Sequence, residues 1–233
     1  MFDTLKLLFS YDFIVRAMIA GGLVALCCAL LGVSLVLKRF SMIGDGLSHV
    51  GFGALSVAAV MNVAPLAIAV PVVIIAAFFI LKLGKDSKVQ SDSAIALVSS
   101  VAIAVGVTVT SLSGGLNTDV YSYMFGSILA MSKTDVYISA ALSVVVLILF
   151  FVFYHKIFAI TFDSDFAKAT GVKAEFYNML IAVLTALTIV VGMRIMGTML
   201  ISSLIIFPTL SASAVVKGFR KVVIISGIVS VVC

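Results

Sequence analysis

The feature that most constrains this chain is the alternation of long uncharged apolar runs with short basic connections. Ala17 to Leu37 contains no Asp, Glu, Lys or Arg, and Lys38 with Arg39 ends the run. About 20 predominantly apolar residues are needed to cross about 30 Å of hydrocarbon. This first run, starting near Phe13, meets that length. The composition supports the same conclusion: 63% of the residues are hydrophobic and only 11% are charged. A soluble domain carries about a quarter charged residues, so this chain lacks the polar side chains to cover a water-facing surface. The expected fold class is an all-α polytopic membrane helical bundle, and 233 residues allow one such domain, 1–233.

The remaining runs divide into further spans. Val50 to Leu81 is uncharged but too long for one crossing, and it holds Asn62, Pro65 and Pro71. It reads as a hairpin turning at Asn62 to Pro65. The first arm reaches back through Leu47 and carries Gly44, Gly46, Gly51 and Gly53. Short glycine-interrupted membrane segments are places where the backbone breaks to line a cavity, so a break is expected in this arm. Ser93 to Leu112 is a fourth span and Val136 to Tyr154 a fifth. Between them, Tyr121, Tyr123 and Phe125 suit an interface. Phe176 to Met193 and Ile195 to Val216 follow as sixth and seventh spans, separated at Arg194 and Gly197. Val222 to Cys233 is apolar but only 12 residues long. About eight transmembrane helices are therefore expected, the last one incomplete in this chain.

Charge sets the orientation. The connections after spans 1, 3, 5 and 7 hold eleven Lys and Arg residues, and those after spans 2, 4 and 6 hold only Lys133 and Arg194. The positive-inside rule puts the first group in the cytoplasm. The net charge of +5 then reflects orientation, and nucleic-acid binding is excluded because no basic run is interleaved with aromatics. Cys27 and Cys28 are adjacent in an apolar run and project in different directions, so they read as small core residues. Asp3 and Lys6 near the N-terminus, with no small-residue cleavage site, argue against a cleavable signal.

Two segments carry candidate chemistry. In Gly44-Asp-Gly-Leu-Ser-His-Val-Gly-Phe-Gly53, Asp45 and His49 stand four residues apart and share one helix face. Carboxylate oxygen and imidazole nitrogen both suit first-row divalent metals, with Ser48 as a weak further oxygen. The competing reading is an Asp capping a helix N-terminus beside a buried hydrogen-bonding His. Ionisable residues at membrane depth are costly and mark pathways. The second segment is the polar stretch Ile160 to Glu175. There Asp163 or Ser164 can cap a short amphipathic helix and Gly171 can end it. Phe166 and Ala169 would face a soluble partner, or the helix would lie on headgroups. Gly197, Ser202, Ser203 and Pro208 suit close packing and a kink. Asp119, Arg194, Arg16 and His155 fall near span ends. No GxxxxGK[ST] sequence is present, so the chain shows no ATP cradle of its own.

Four segments together resemble a known family. They are Leu37-Lys-Arg-Phe-Ser-Met-Ile-Gly-Asp-Gly-Leu-Ser-His49, Tyr123-Met-Phe-Gly-Ser-Ile-Leu129, Phe162-Asp-Ser-Asp-Phe-Ala-Lys-Ala-Thr-Gly171, and Gly197-Thr-Met-Leu through Ile205-Ile-Phe-Pro208. In order and spacing they resemble the permeases of ABC importers for zinc, manganese or iron, the zinc-uptake permeases especially. The resemblance implies a homodimer, two cytoplasmic ATP-binding subunits and an extracytoplasmic metal-binding protein, in the multi-pass cell membrane of a prokaryote. It implies no resident cofactor, only a transported divalent ion, with Zn2+ expected. It places Asp45 and His49 on the translocation path. It makes residues 158–175 a cytoplasmic coupling loop, with Asp163, Asp165, Phe166, Ala167, Ala169 and Gly171 meeting the ATPase. The alternative is a stand-alone secondary transporter or channel that uses Asp45 and His49 as a proton or ion relay. A non-transporting scaffold would make the charge at position 45 dispensable.

Overall fold

Residues 11–83, 91–113, 124–126 and 133–233 are described by the computed structural model, and among them every regular element is a helix. The helices are α1 (Asp12–Leu37), α2 (Ile43–Val60), α3 (Pro65–Leu83), α4 (Ser91–Leu112), α5 (Lys133–Val152), α6 (Tyr154–Phe162), α7 (Ser164–Ala169), α8 (Ala174–Val215) and α9 (Phe219–Val232). Among the described residues, five helices are long and apolar enough to cross a membrane. The count becomes six if α5 and α6, bent by 68° at their junction, form one span. The chain is therefore a multi-pass membrane protein.

Local chemistry explains most boundaries. α1 ends where the N–H of Arg39 donates to Val36 O (3.0 Å) and that of Phe40 to Leu35 O (2.9 Å), with Arg39 at φ 62°. This left-handed stop satisfies the last carbonyls. The expected hairpin lies where the sequence places it. Asn62 takes φ 52° between α2 and α3, and Pro65, whose missing N–H costs nothing at a first helical position, opens α3. The fifth span ends two residues earlier than expected. It stops at Val152, and the chain turns through 68° into α6 without a proline or glycine at the bend.

α2 sits at the centre of the bundle, packed on α3, α4 and α8. The expectation of a broken, glycine-interrupted arm is overturned here. α2 runs as one continuous helix from Ile43 to Val60. Its glycines serve contact instead. A Cβ on Gly53 would lie 2.6 Å from the carbonyl oxygen of Ala102 in α4, and Gly106 of α4 meets the Cα of Gly53 in return. Small residues let membrane helices approach closely enough for dispersion contacts to accumulate.

The break lies in α8. Gly197 has φ 80° and ψ 165°, outside any helical region. A Cβ on Gly192 would overlap the Ile201 side chain, yet nine residues of straight helix would separate the two by about 13.5 Å. α8 therefore doubles back at Gly197. Both limbs lie along α1: Asn178 meets Lys38 and Met196 meets Gly21 from the first limb, and Ile205 meets Gly32 from the second. Cys27 and Cys28 are fully buried, as expected of core residues. The Cys27 thiol donates to the carbonyl oxygen of Ser143 in α5 at 3.4 Å.

Candidate metal path and coupling helix

Asp45 occupies the first turn of α2, two residues inside its start, and the N-cap position itself is Met42, whose side chain makes no capping hydrogen bond. The Asp45 charge still complements the helix dipole there. His49 follows one turn later, and its Nε2 lies 3.6 Å from Asp45 Oδ2. That is too long for a hydrogen bond but suits two ligands of one ion. Donors 3.6 Å apart fit bonds of about 2.1 Å at an angle of roughly 118°. The side chains are 27% (His49) and 39% (Asp45) exposed, so both open onto a space rather than into packed core.

The depth of the pair follows from its neighbours. Gly44 touches Ile205, whose backbone meets Gly32 of α1. Gly32 stands six residues, about 9 Å, from Lys38, and eleven residues, about 16 Å, from Gly21 at the reversal. Asp45 and His49 thus sit between the ends of the bundle, at neither mouth.

A third oxygen joins them. Ser202, on the second limb of α8, reaches the Asp45 carboxylate, while its hydroxyl donates to Thr198 O at 2.7 Å. In the sequence Ser202 reads only as a packing residue. Ser48, which the sequence offers as a weak ligand, is fully buried and donates to Gly44 O at 2.8 Å on its own helix, so it takes no part. Among the described residues no cluster of three or more His, Cys, Asp or Glu side chains forms.

The α8 reversal is held from outside. A Cβ on Gly197 would lie 2.5 Å from the amide nitrogen of Gly126, and one on Gly126 would lie 2.7 Å from the Gly197 nitrogen. Both glycines have φ near +80°, a conformation that glycine adopts at no steric cost. Thr198 Oγ1 donates to Met124 O at 3.3 Å. Of the segment Tyr123 to Leu129, only Met124 to Gly126 falls among the described residues; Tyr121 and Asp119 lie outside them too.

The expected short helix is present as α7. Asp163 Oδ1 accepts from the N–H groups of Asp165 (3.0 Å) and Phe166 (2.9 Å). At the other end Gly171, at φ +85°, donates to Lys168 O, and Val172 to Ala167 O. This is the paired bond set of a glycine-terminated helix. Asp163, Asp165, Ala169 and Gly171 are exposed, and Phe166 is 66% exposed. Ala167 differs from expectation. It is fully buried against the bundle, so it anchors the helix and cannot meet a partner.

The chain is similar to several known proteins along most of its length. It is 33% identical over 219 residues to a probable metal transport system membrane protein of Treponema pallidum, covering 90% of this chain and 79% of that one. It is 28% identical over 205 residues to the manganese transport system membrane protein MntC of Halalkalibacterium halodurans, covering 88% and 70%. The solved structure of PsaBC from Streptococcus pneumoniae in complex with Fab superposes with a TM-score of 0.85 at 26% identity, covering 99% of this chain and 83% of that one. Residues 10–233 match the ABC 3 transport family, and with relatives of this identity and coverage, the chain belongs to that family.

Proposed function

We propose that the chain is the membrane permease of an ATP-driven importer of divalent first-row metal ions, with hydrolysis on separate cytoplasmic subunits. The observation that carries this is the Asp45/His49 pair, 3.6 Å apart and partly open within an otherwise apolar bundle. Ser202 adds oxygen beside it. Carboxylate, imidazole and hydroxyl together suit manganese and zinc. The sequence resemblance favours zinc, whereas a relative such as MntC is named for manganese. We take manganese as the first cargo to test and zinc as the second.

The rest of the assembly follows from what the site lacks. Two strong donors hold a divalent ion weakly, which suits a site that must release its cargo. A second copy of the chain, with the path between the two, would bring four. The two limbs of α8 count as two crossings and the bent α5–α6 pair as one, and with α1 to α4 and α9 the membrane helices number about eight. The basic connections then face the cytoplasm of a prokaryotic cell. α7, capped at both ends with Phe166 outward, is the surface for the ATP-binding subunits. An extracytoplasmic metal-binding protein would deliver the ion at the Gly197 end.

The test is accumulation of labelled manganese and of labelled zinc in cells that depend on this transporter. Asp45→Asn or His49→Ala should abolish uptake with normal membrane expression. Uptake that persists when the ATP-binding subunits are inactivated would instead establish a stand-alone secondary transporter or channel.

A further inference from the structure

At the end of the bundle that carries the basic connections, α1, α3, α7 and the start of α8 enclose a groove of about 710 Å³. Its rim carries Lys38, Lys82 and Lys168 against one acid, Glu175. Its floor is apolar, with Phe78 and Phe176 among the lining residues. Lys168 is paired with Asp165 at 3.2 Å and Lys38 with the Asn178 side-chain oxygen, while Lys82 has no hydrogen-bond or ion-pair partner among the described residues. Burial holds the Lys38 amine down to about 8, so this charge lies in a partly desolvated position. We propose that the groove binds one anionic phospholipid of the cytoplasmic leaflet, its phosphate between Lys38 and Lys82 and an acyl chain along α3. The inference rests on the orientation proposed above but not on the transported ion.

Two observations favour a lipid over a protein segment. First, the charge balance is positive on a rim next to apolar surface, and basic pockets between transmembrane helices on the cytoplasmic side match anionic headgroups. Second, the groove continues into the membrane. Phe78 lies one turn before Lys82 on α3, and Ile75 and Val72 extend the exposed side of the helix deeper, all three exposed. That stripe runs about 9 Å from Phe78 toward the bilayer centre, beyond the reach of a soluble subunit. A chain lying on it would bury aromatic and aliphatic surface continuous with the headgroup site.

The experiment compares phosphatidylglycerol with phosphatidylcholine in nanodiscs containing the full-length permease, alone and with its ATP-binding subunits. Co-purifying lipid is read by mass spectrometry. The wild type should retain phosphatidylglycerol in both settings. Lys38→Gln with Lys82→Gln should lower that retention roughly tenfold or more, and the double Arg variant should restore it. A photoactivatable phosphatidylglycerol should crosslink the wild type at residues 75–82 or 175–179, which needs no variant to fold. Equal retention of both lipids, or crosslinks only elsewhere, overturns the proposal. So does loss of the lipid when the ATP-binding subunits are added, which would give the groove to the protein partner. Metal uptake is not part of the readout, so a failure of the transport reading leaves this result interpretable.

Discussion

α2 and α8 both carry glycines within long apolar stretches, and the chain treats them in opposite ways. α2 has Gly44, Gly46, Gly51 and Gly53 and stays helical throughout. α8 breaks at Gly197 and folds back on itself. The difference lies in what each glycine is needed for. In α2 the missing Cβ makes room for α4 and α8 while the backbone keeps helical dihedrals. At Gly197 the backbone itself takes a dihedral pair that a side chain disfavours, and the opposing backbone of Gly126 fills the space where a Cβ would go. Glycine content alone therefore does not mark a broken membrane helix. A positive φ, fixed by a distant contact, does.

The sharpest way to break that comparison is Gly197→Ala. It meets both a positive φ and a backbone 2.5 Å from the new methyl, so the permease should fail to accumulate in the membrane. Normal expression of this variant would mean that the reversal is not held by the Gly126 contact. Asp45→Asn should abolish metal uptake as completely, yet lower detergent melting only slightly, because the side chain is partly open and its charge contributes about 0.3–1 kcal/mol at the helix start. Gly53→Ala should be milder. Overpacking of this kind costs about 1–3 kcal/mol, since Ala102 backbone must yield, and a lowered melting temperature with residual uptake is expected. Gly22→Ala, with nothing within 4 Å of the added methyl, should do neither.

A smaller effect tests Lys38 through pH. Its amine, ordinarily near 10.5, is pushed down to about 8 by burial. The unfolded chain then binds more protons than the folded one between those values, so stability rises with pH across that window. Below about 8 the cost of the buried charge is present in full. Lys38→Met should be more stable than wild type at pH 7, with the gap closing toward pH 10 in melting experiments free of anionic lipid. A gap independent of pH would assign the effect to packing alone.

What the sequence revealed and what it hid separate by range. The hairpin at Asn62 to Pro65 and both ends of α7 were legible, because proline, asparagine, an Asp cap and a terminal glycine act on their immediate neighbours. The first four helices follow the apolar runs of the sequence. The Gly126–Gly197 contact joins residues 71 positions apart, and nothing in either segment names the other. Ser202 beside Asp45 is hidden for the same reason, since a serine in an apolar run reads as packing until a second helix lines up with it. The 68° bend before α6 has no breaker residue at all, and the sequence offers no local cause for it. Asp45 and His49 were visible as a pair through their spacing, but their depth came only from the register of α8 against α1.

One residue has a mechanical consequence. Asp163 is both the C-cap of α6 and the N-cap of α7, so a single residue joins the two helices, and Ala167 pins α7 to the bundle. α6 in turn meets α5 at a single residue, Phe153. The train from the exposed Phe166 to the fifth span therefore runs without backlash. Any displacement of α7 would therefore have one shared residue, and no loop, to cross at each junction on its way to α5.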